Sequence, residues 1–148
     1  MAKAAEVPFA TTRLVRDACL CLHLQRAARA LARRFDDAFR PLGLTSGQYS
    51  MMMALNRPEP PSIGAIASLL AMDRTTLTAA LKPLQRRRLV AVTVDVDDRR
   101  SRRLKLTPAG RALLARAVPV WRRTHAELDR LLPRPGAERL RRDLRALA

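Results

Sequence analysis

Between residues 62 and 110 the spacing of apolar side chains changes from three-and-four to two and back again, and few arrangements of a chain satisfy that order. Ile63, Ile66, Ala67 and Leu70 recur at helical spacing after Ser62, and Leu77, Leu81 and Leu84 do so after Asp73. Ser and Asp are favoured helix N-caps, because their side-chain oxygens accept from backbone amides left free in the first turn. Only Ala71 and Met72 connect the two runs, and the small Ala67 and Ala71 let the helices cross closely. From Val90 the period becomes two: Val90, Val92 and Val94 alternate with Ala91 and Thr93, and Leu104 and Leu106 alternate with Arg103 and Lys105. Residues 95–101, DVDDRRS, join these strands as a charged loop without glycine. Thr107 and Pro108, an N-cap and a first-turn proline, restart the helical pattern.

That order predicts a mainly α fold with one small β-hairpin, a helix-turn-helix followed by a wing. On either side lie long helical segments. Residues 13–39 contain neither Pro nor Gly; Thr11 and Thr12 offer N-cap oxygens, and Pro41 and Gly43 close the run, so one continuous helix is expected. Its stripe runs through Leu14, Ala18, Cys21, Ala28, Ala32, Phe35 and Phe39. Thr45 or Ser46 caps a second helix reaching about Asn56, which the prolines at 58, 60 and 61 end. Leu114, Val118, Trp121, His125, Leu128 and Leu132 form a stripe after Pro108, with Pro119 expected to kink it. Arg134-Pro135-Gly136 breaks the chain before a short last helix through Leu140, Leu144 and Leu147. We read residues 1–148 as a single domain, with 45–107 as the winged lobe and 13–40 and 108–148 as dimerisation helices, since those stripes are too long for one small domain to cover.

Charge narrows the class of partner. Lys and Arg number 29 against 13 Asp and Glu, a net +16, and residues 74–105 alone hold +7 of it. Arginine-rich codon usage accounts for the kind of base but not for its clustering, which is that of a phosphate-facing surface. No apolar run reaches the roughly 20 residues of a membrane span, and the N-terminus lacks the apolar stretch and cleavage site of a signal peptide. A soluble cytoplasmic, nucleoid-associated location with no membrane partner is expected. With five aromatic residues in all, and Tyr49 in a helix, there are few stacking platforms, so a basic RNA-binding module ranks below double-stranded DNA binding. No nucleophile–base pair, carboxylate dyad or Gly-rich phosphate loop is present, and no enzyme activity or cofactor is expected.

On the second short helix Arg74, Thr75, Thr76, Thr78 and Lys82 are candidate DNA contacts, with Ala79 also facing outward; in the loop and strand after it Arg99, Arg100 and Arg102 are candidates, and Asp98 supports the wing. Arg86, Arg87 and Arg88 are either a solvated helix end or phosphate contacts. Phe35, Tyr49, Trp121 and His125 are candidates for an effector pocket, ordinary interface packing being the plainer reading of the last two. Met51, Met52 and Met53 read as gap-filling core. On one continuous helix Cys19 and Cys21 lie about 200° apart, which disfavours a disulfide between them; Cys21 falls mid-stripe, toward the core or a dimer cleft, and Cys19 on the polar side near Arg26. A thiol there is either a small hydrophobe or a redox sensor. Cys19, His23 and His125 are too few donors for a metal, and none is expected.

The segments PLGLTSGQY (41–49), DRTTLTAALKPL (73–84) and DDRRSRRLKLTPAG (97–110) resemble the MarR family of winged-helix regulators over nearly the whole chain. The resemblance implies a two-fold dimer through first and last helices, each protomer placing a recognition helix in the major groove of a pseudo-palindromic operator. Arg74, Thr75, Thr76 and Thr78 match the groove-facing segment, Asp98 the wing acid and Arg100 the wing tip. CLHLQRAARA (21–30) is similar to the organic-peroxide sensors, with Cys21 at their reactive position, although Phe35 and Ser46 stand where those sensors hold tyrosines. Arg88 stands where the family usually has Gly. The implied function is a homodimeric transcriptional regulator, a repressor released by a small-molecule effector or by oxidation of Cys21; the alternative is an effector-independent architectural DNA-binding protein.

Overall fold

The computed structural model describes residues 6–134 and 136–147, so Pro135, the centre of the expected Arg134-Pro135-Gly136 break, lies outside the described residues. The elements run α1 (Phe9–Ala18), α2 (Leu20–Phe39), a 3-10 turn (Arg40–Leu42), α3 (Ser46–Ala54), α4 (Ile63–Leu69), α5 (Arg74–Arg86), β1 (Val90–Val94), β2 (Arg102–Leu106), α6 (Pro108–Leu131) and α7 (Gly136–Arg145). This is the mainly α, hairpin-bearing order that the change of period predicts. None of the helices among the described residues is long and apolar enough to cross a membrane.

Side-chain caps set most helix starts. Thr45 and Gln48 form a reciprocal capping box, and the side chains of Ser62, Asp73 and Thr107 accept from Ala65, Thr76 and Gly110 amides respectively. The single helix expected over 13–39 is corrected to two. It begins at Phe9 with Pro8 at the N-cap, so Thr11 and Thr12 lie inside it, and it breaks at Cys19, whose backbone is extended. No Pro or Gly causes the break; local substitutes satisfy both ends instead. The Asp17 carbonyl oxygen lies 3.1 Å from His23 Nε2, and the Cys19 sulfur accepts from the Leu22 amide at 3.5 Å.

The core gathers where the C-terminal end of α2 meets α3, α4, α5, the hairpin and the first half of α6. Phe39, Met52, Ile66, Leu77, Leu81, Leu84 and Leu104 are its fully buried side chains. Met51 is buried too, whereas Met53 is exposed, so the methionine run is core only in part. β1 and β2 pair antiparallel, Val90 opposite Leu106 and Val94 opposite Arg102. The chain just before α4 adds a short third edge: the Leu104 amide donates to the Pro61 carbonyl at 2.9 Å, and Ser62 bridges to Arg103. The hairpin is thereby fastened to the base of the helix-turn-helix.

Candidate nucleic-acid interface

Burial of Leu77, Leu81 and Leu84 fixes the rotation of α5, leaving Arg74, Thr75, Thr76, Thr78, Ala79 and Lys82 exposed. Two threonine hydroxyls on this face are engaged within the helix: Thr76 Oγ1 donates to Asp73 Oδ2 at 2.5 Å and Thr78 Oγ1 to the Arg74 carbonyl at 2.7 Å. The Thr75 hydroxyl makes no hydrogen bond among the described residues. These contacts hold the Asp73 carboxyl below its ordinary value, the Thr76 hydroxyl contributing most and the Thr76 amide next.

The wing is organised by a residue the sequence reading passed over. Asp95, at the end of β1, is buried; its Oδ1 accepts from the Asp97 amide at 2.8 Å and the Asp98 amide at 3.3 Å, and its Oδ2 pairs with Arg103 Nε. The Asp97 amide, then Arg103, pull its carboxyl below the usual carboxylate range. Arg103 Nη1 reaches on to the Pro60 carbonyl at 3.4 Å. Asp98, the expected wing support, closes the tip, accepting from the Arg100 amide at 2.9 Å through its side chain and from the Ser101 amide at 2.8 Å through its carbonyl. Alternation along the strands carried no sign that Asp95, the residue after Val94, anchors the turn.

Arg99, Arg100 and Arg102 are exposed on this loop and the start of β2. An open cleft of about 290 Å³ lies between wing and helices, lined by Ser62, Ile63, Gly64, Arg74, Thr78, Arg100, Ser101 and Arg102. Three guanidinium-bearing residues and no carboxylate line it. The Arg86–Arg88 run divides its work: Arg87 Nη1 donates to the Gly43 carbonyl at 2.5 Å, tying α5 to the 3-10 turn, while Arg88 takes the left-handed conformation, φ 55°.

A second, larger groove of about 620 Å³ lies among α3, α4 and α6, lined by Tyr49, Ser50, Met53, Ala54, Arg57, Leu69, Leu70, Val118, Trp121 and Arg122. Tyr49 and Trp121 were candidates for such a pocket. Phe35 and His125 do not line it; they stand behind, in an aromatic chain in which Tyr49 stacks on Phe39 at 4.7 Å, Phe39 on Phe35 at 5.9 Å, and Phe35 and Trp121 flank His125 at 6.3 and 4.9 Å. Burial pushes the Tyr49 phenol above its usual value. Cys21 is exposed rather than facing the core, because α2 is covered mainly at its far end, around Phe35 and Phe39; Gln25 Nε2 donates to its sulfur at 3.1 Å. Cys19 sits at the α2 cap rather than on a polar helix face. Among the described residues no cluster of three or more His, Cys, Asp or Glu could hold a metal ion.

A helix-turn-helix with a fastened basic hairpin defines a winged-helix protein. The MarR family model matches residues 42–101. The chain is 37% identical to the M. tuberculosis transcriptional regulator MosR, solved in complex with DNA, over 87% of this chain and 92% of that one, with a TM-score of 0.80. It is 30% identical to the transcriptional repressor CouR bound to a 23-mer DNA duplex, over 97% and 99% of the two chains, with a TM-score of 0.81; CouR has also been solved bound to p-coumaroyl-CoA. Among curated proteins it is 35% identical over 95 residues to the transcriptional activatory protein BadR of Rhodopseudomonas palustris, a stretch covering 62% of this chain and 54% of BadR. The chain thus spans little more than half the length of that relative. It belongs to the MarR family.

Proposed function

We propose that the protein is a sequence-specific double-stranded-DNA-binding transcriptional regulator, acting as a homodimeric repressor on a pseudo-palindromic operator. The observation that carries the reading is the pairing of two exposed basic surfaces on one side of the lobe: the outward face of α5 with Arg74, Thr75, Thr76, Thr78 and Lys82, and the wing with Arg99, Arg100 and Arg102. Helix and wing are held together by Leu84, Leu104 and the Pro61–Leu104 bond, so they dock as a unit. MosR and CouR, both solved with DNA, support the same partner.

Release follows from a small molecule entering the Tyr49–Trp121 groove, which lies between α3, α4 and α6, and so between the DNA-facing helices and the long helix behind them. The p-coumaroyl-CoA complex of CouR supports that route. Oxidation of the exposed Cys21, whose sulfur is already a hydrogen-bond acceptor for Gln25, is the competing route. Fluorescence anisotropy separates the readings. The protein is titrated with a duplex it selects from a randomised library, with a scrambled duplex and with single-stranded RNA, before and after stoichiometric organic hydroperoxide, using wild type and Cys21→Ser. Selected duplex should bind best, with a steep salt dependence. Equal binding to all duplexes would leave an architectural protein. Peroxide release lost in Cys21→Ser would assign the switch to the thiol rather than the groove.

A further inference from the structure

Arg74 begins the outward helix, yet its guanidinium is turned back over α4. A methyl group built on Gly64 would stand 2.9 Å from Arg74 Nη2, 3.4 Å from Cζ and 3.5 Å from Nε. The guanidinium therefore packs against the one α4 residue that has no side chain to obstruct it, its Nη2 nearest. From there it faces the cleft shared with Arg100, Ser101 and Arg102 of the wing. Arg102 Nη1 is steadied by the carbonyl oxygens of Arg99 at 2.9 Å and Ser101 at 3.4 Å. The neighbouring acids are occupied elsewhere: both Asp73 oxygens by Thr76, and Asp98 Oδ1 by the Arg100 amide. None of the three arginines is ion-paired among the described residues.

Three cations around one cleft without a counterion repel one another, and an anion seated among them removes that repulsion. The tetrahedral oxygens of a phosphodiester suit forked donors arriving from two elements. We infer that Arg74, Arg100 and Arg102 form a seat for a single backbone phosphate of duplex DNA, and that Gly64 is the residue that lets Arg74 reach it. This rests on the DNA-binding reading above and refines it. Arg74 positions the duplex and carries no sequence information, which leaves base reading to Thr75, Thr78 and Lys82.

The test uses the full-length protein and the duplex selected by wild type, with neutral methylphosphonate substituted at one backbone position at a time. Wild type should lose affinity at one position in each half-site that Arg74→Ala no longer senses. Arg74→Ala should weaken selected and scrambled duplexes alike, on the order of tenfold, and flatten the log–log salt slope by about 0.9 per half-site. Its own library selection should return the wild-type consensus. Gly64→Ala, which favours the helix by propensity, should melt no lower than wild type yet show the same loss at the same phosphate. An altered consensus for Arg74→Ala, or an unchanged methylphosphonate profile in either variant, overturns the seat while leaving DNA binding intact. If wild type itself prefers no duplex, the DNA-binding reading fails and the seat falls with it.

Discussion

The carbonyl of Leu89 shows how tightly single residues hold the wing to the helices. It accepts from the Thr107 amide at 3.0 Å, and the Thr107 hydroxyl lies within reach of it and of the Arg88 carbonyl. A Cβ on Gly110 would come within 2.1 Å of this same oxygen, an impossible contact with backbone that is already fixed. Gly110→Ala should therefore destabilise the protein by about 2 kcal/mol despite the better helix propensity of alanine. Thermal unfolding should show a drop on the order of 5 °C; an unchanged midpoint would mean that α6 is not seated on Leu89. One residue upstream of Gly110's contact the sign reverses. Arg88 is held at φ 55° with its amide on the Gln85 carbonyl, and the Leu89 amide returns to the Leu84 carbonyl, a left-handed helix ending that glycine adopts without strain. Arg88→Gly should stabilise by about 0.5–1 kcal/mol, read as a higher denaturation midpoint at unchanged slope.

Among elements, the wing depends on one carboxylate more than on its own strands. Asp95 gathers two loop amides and Arg103, so Asp95→Ala should free the tip. Hydrogen exchange at residues 95–103 should quicken and duplex affinity fall while the global melting temperature hardly moves; loss of protection spread through the core would contradict this. The pH dependence follows from the lowered carboxyl. Because folding holds Asp95 below the value near 3.9 of an unfolded Asp, its stabilisation is complete above that pH and is lost as pH falls through the folded value. Wing protection should stay flat through neutrality and weaken only in acid, and in Asp95→Asn that acid step should be absent. The elements also show what a sequence reveals. Caps at Thr45, Ser62, Asp73 and Thr107, and the switch to period two at Val90, are local signals carried by one or two residue types, and each marks an element start in the structure. The break at Cys19 carries no such signal, since it is stabilised by a His23 contact to a carbonyl six residues back and by a weak sulfur acceptor. Asp95 was hidden for a related reason: within DVDDRRS nothing distinguishes the acid that will be buried from the two that stay in water. The candidate pocket was half legible, since helical spacing aligns Trp121 with His125 but does not say which of them faces the groove.

For the whole molecule, exposed surface is the deciding quantity. A compact monomer of 16.6 kDa exposes about 7,600 Å² by the usual mass scaling, whereas this chain exposes 11,200 Å². The apolar part of that surplus is concentrated at the two ends of the chain. Phe9, Leu14 and Val15 on α1, Leu20, Leu24 and Leu31 on α2, and Leu140 and Leu144 on α7 are all exposed. Scattered exposed leucines are unremarkable, but helices whose apolar stripes lie bare along their length lack the burial that stabilises helices in water. An interface of a few thousand Å², the size of an obligate homodimer, would cover them. Two copies joined this way would also fix the separation of their α5 helices, which reading two half-sites one helical turn apart requires. Sedimentation equilibrium should accordingly give twice 16.6 kDa at micromolar concentration. The paired charge substitutions Leu14→Glu and Leu144→Glu should shift it toward monomer and lower the midpoint of unfolding together, since α1 and α7 would lose their cover. Such a variant should retain weak binding to a duplex carrying one half-site and lose the added affinity of the second. Wild type sedimenting as a stable monomer, or a charged variant that binds two half-sites as tightly as wild type, would remove the dimer from the proposed mechanism.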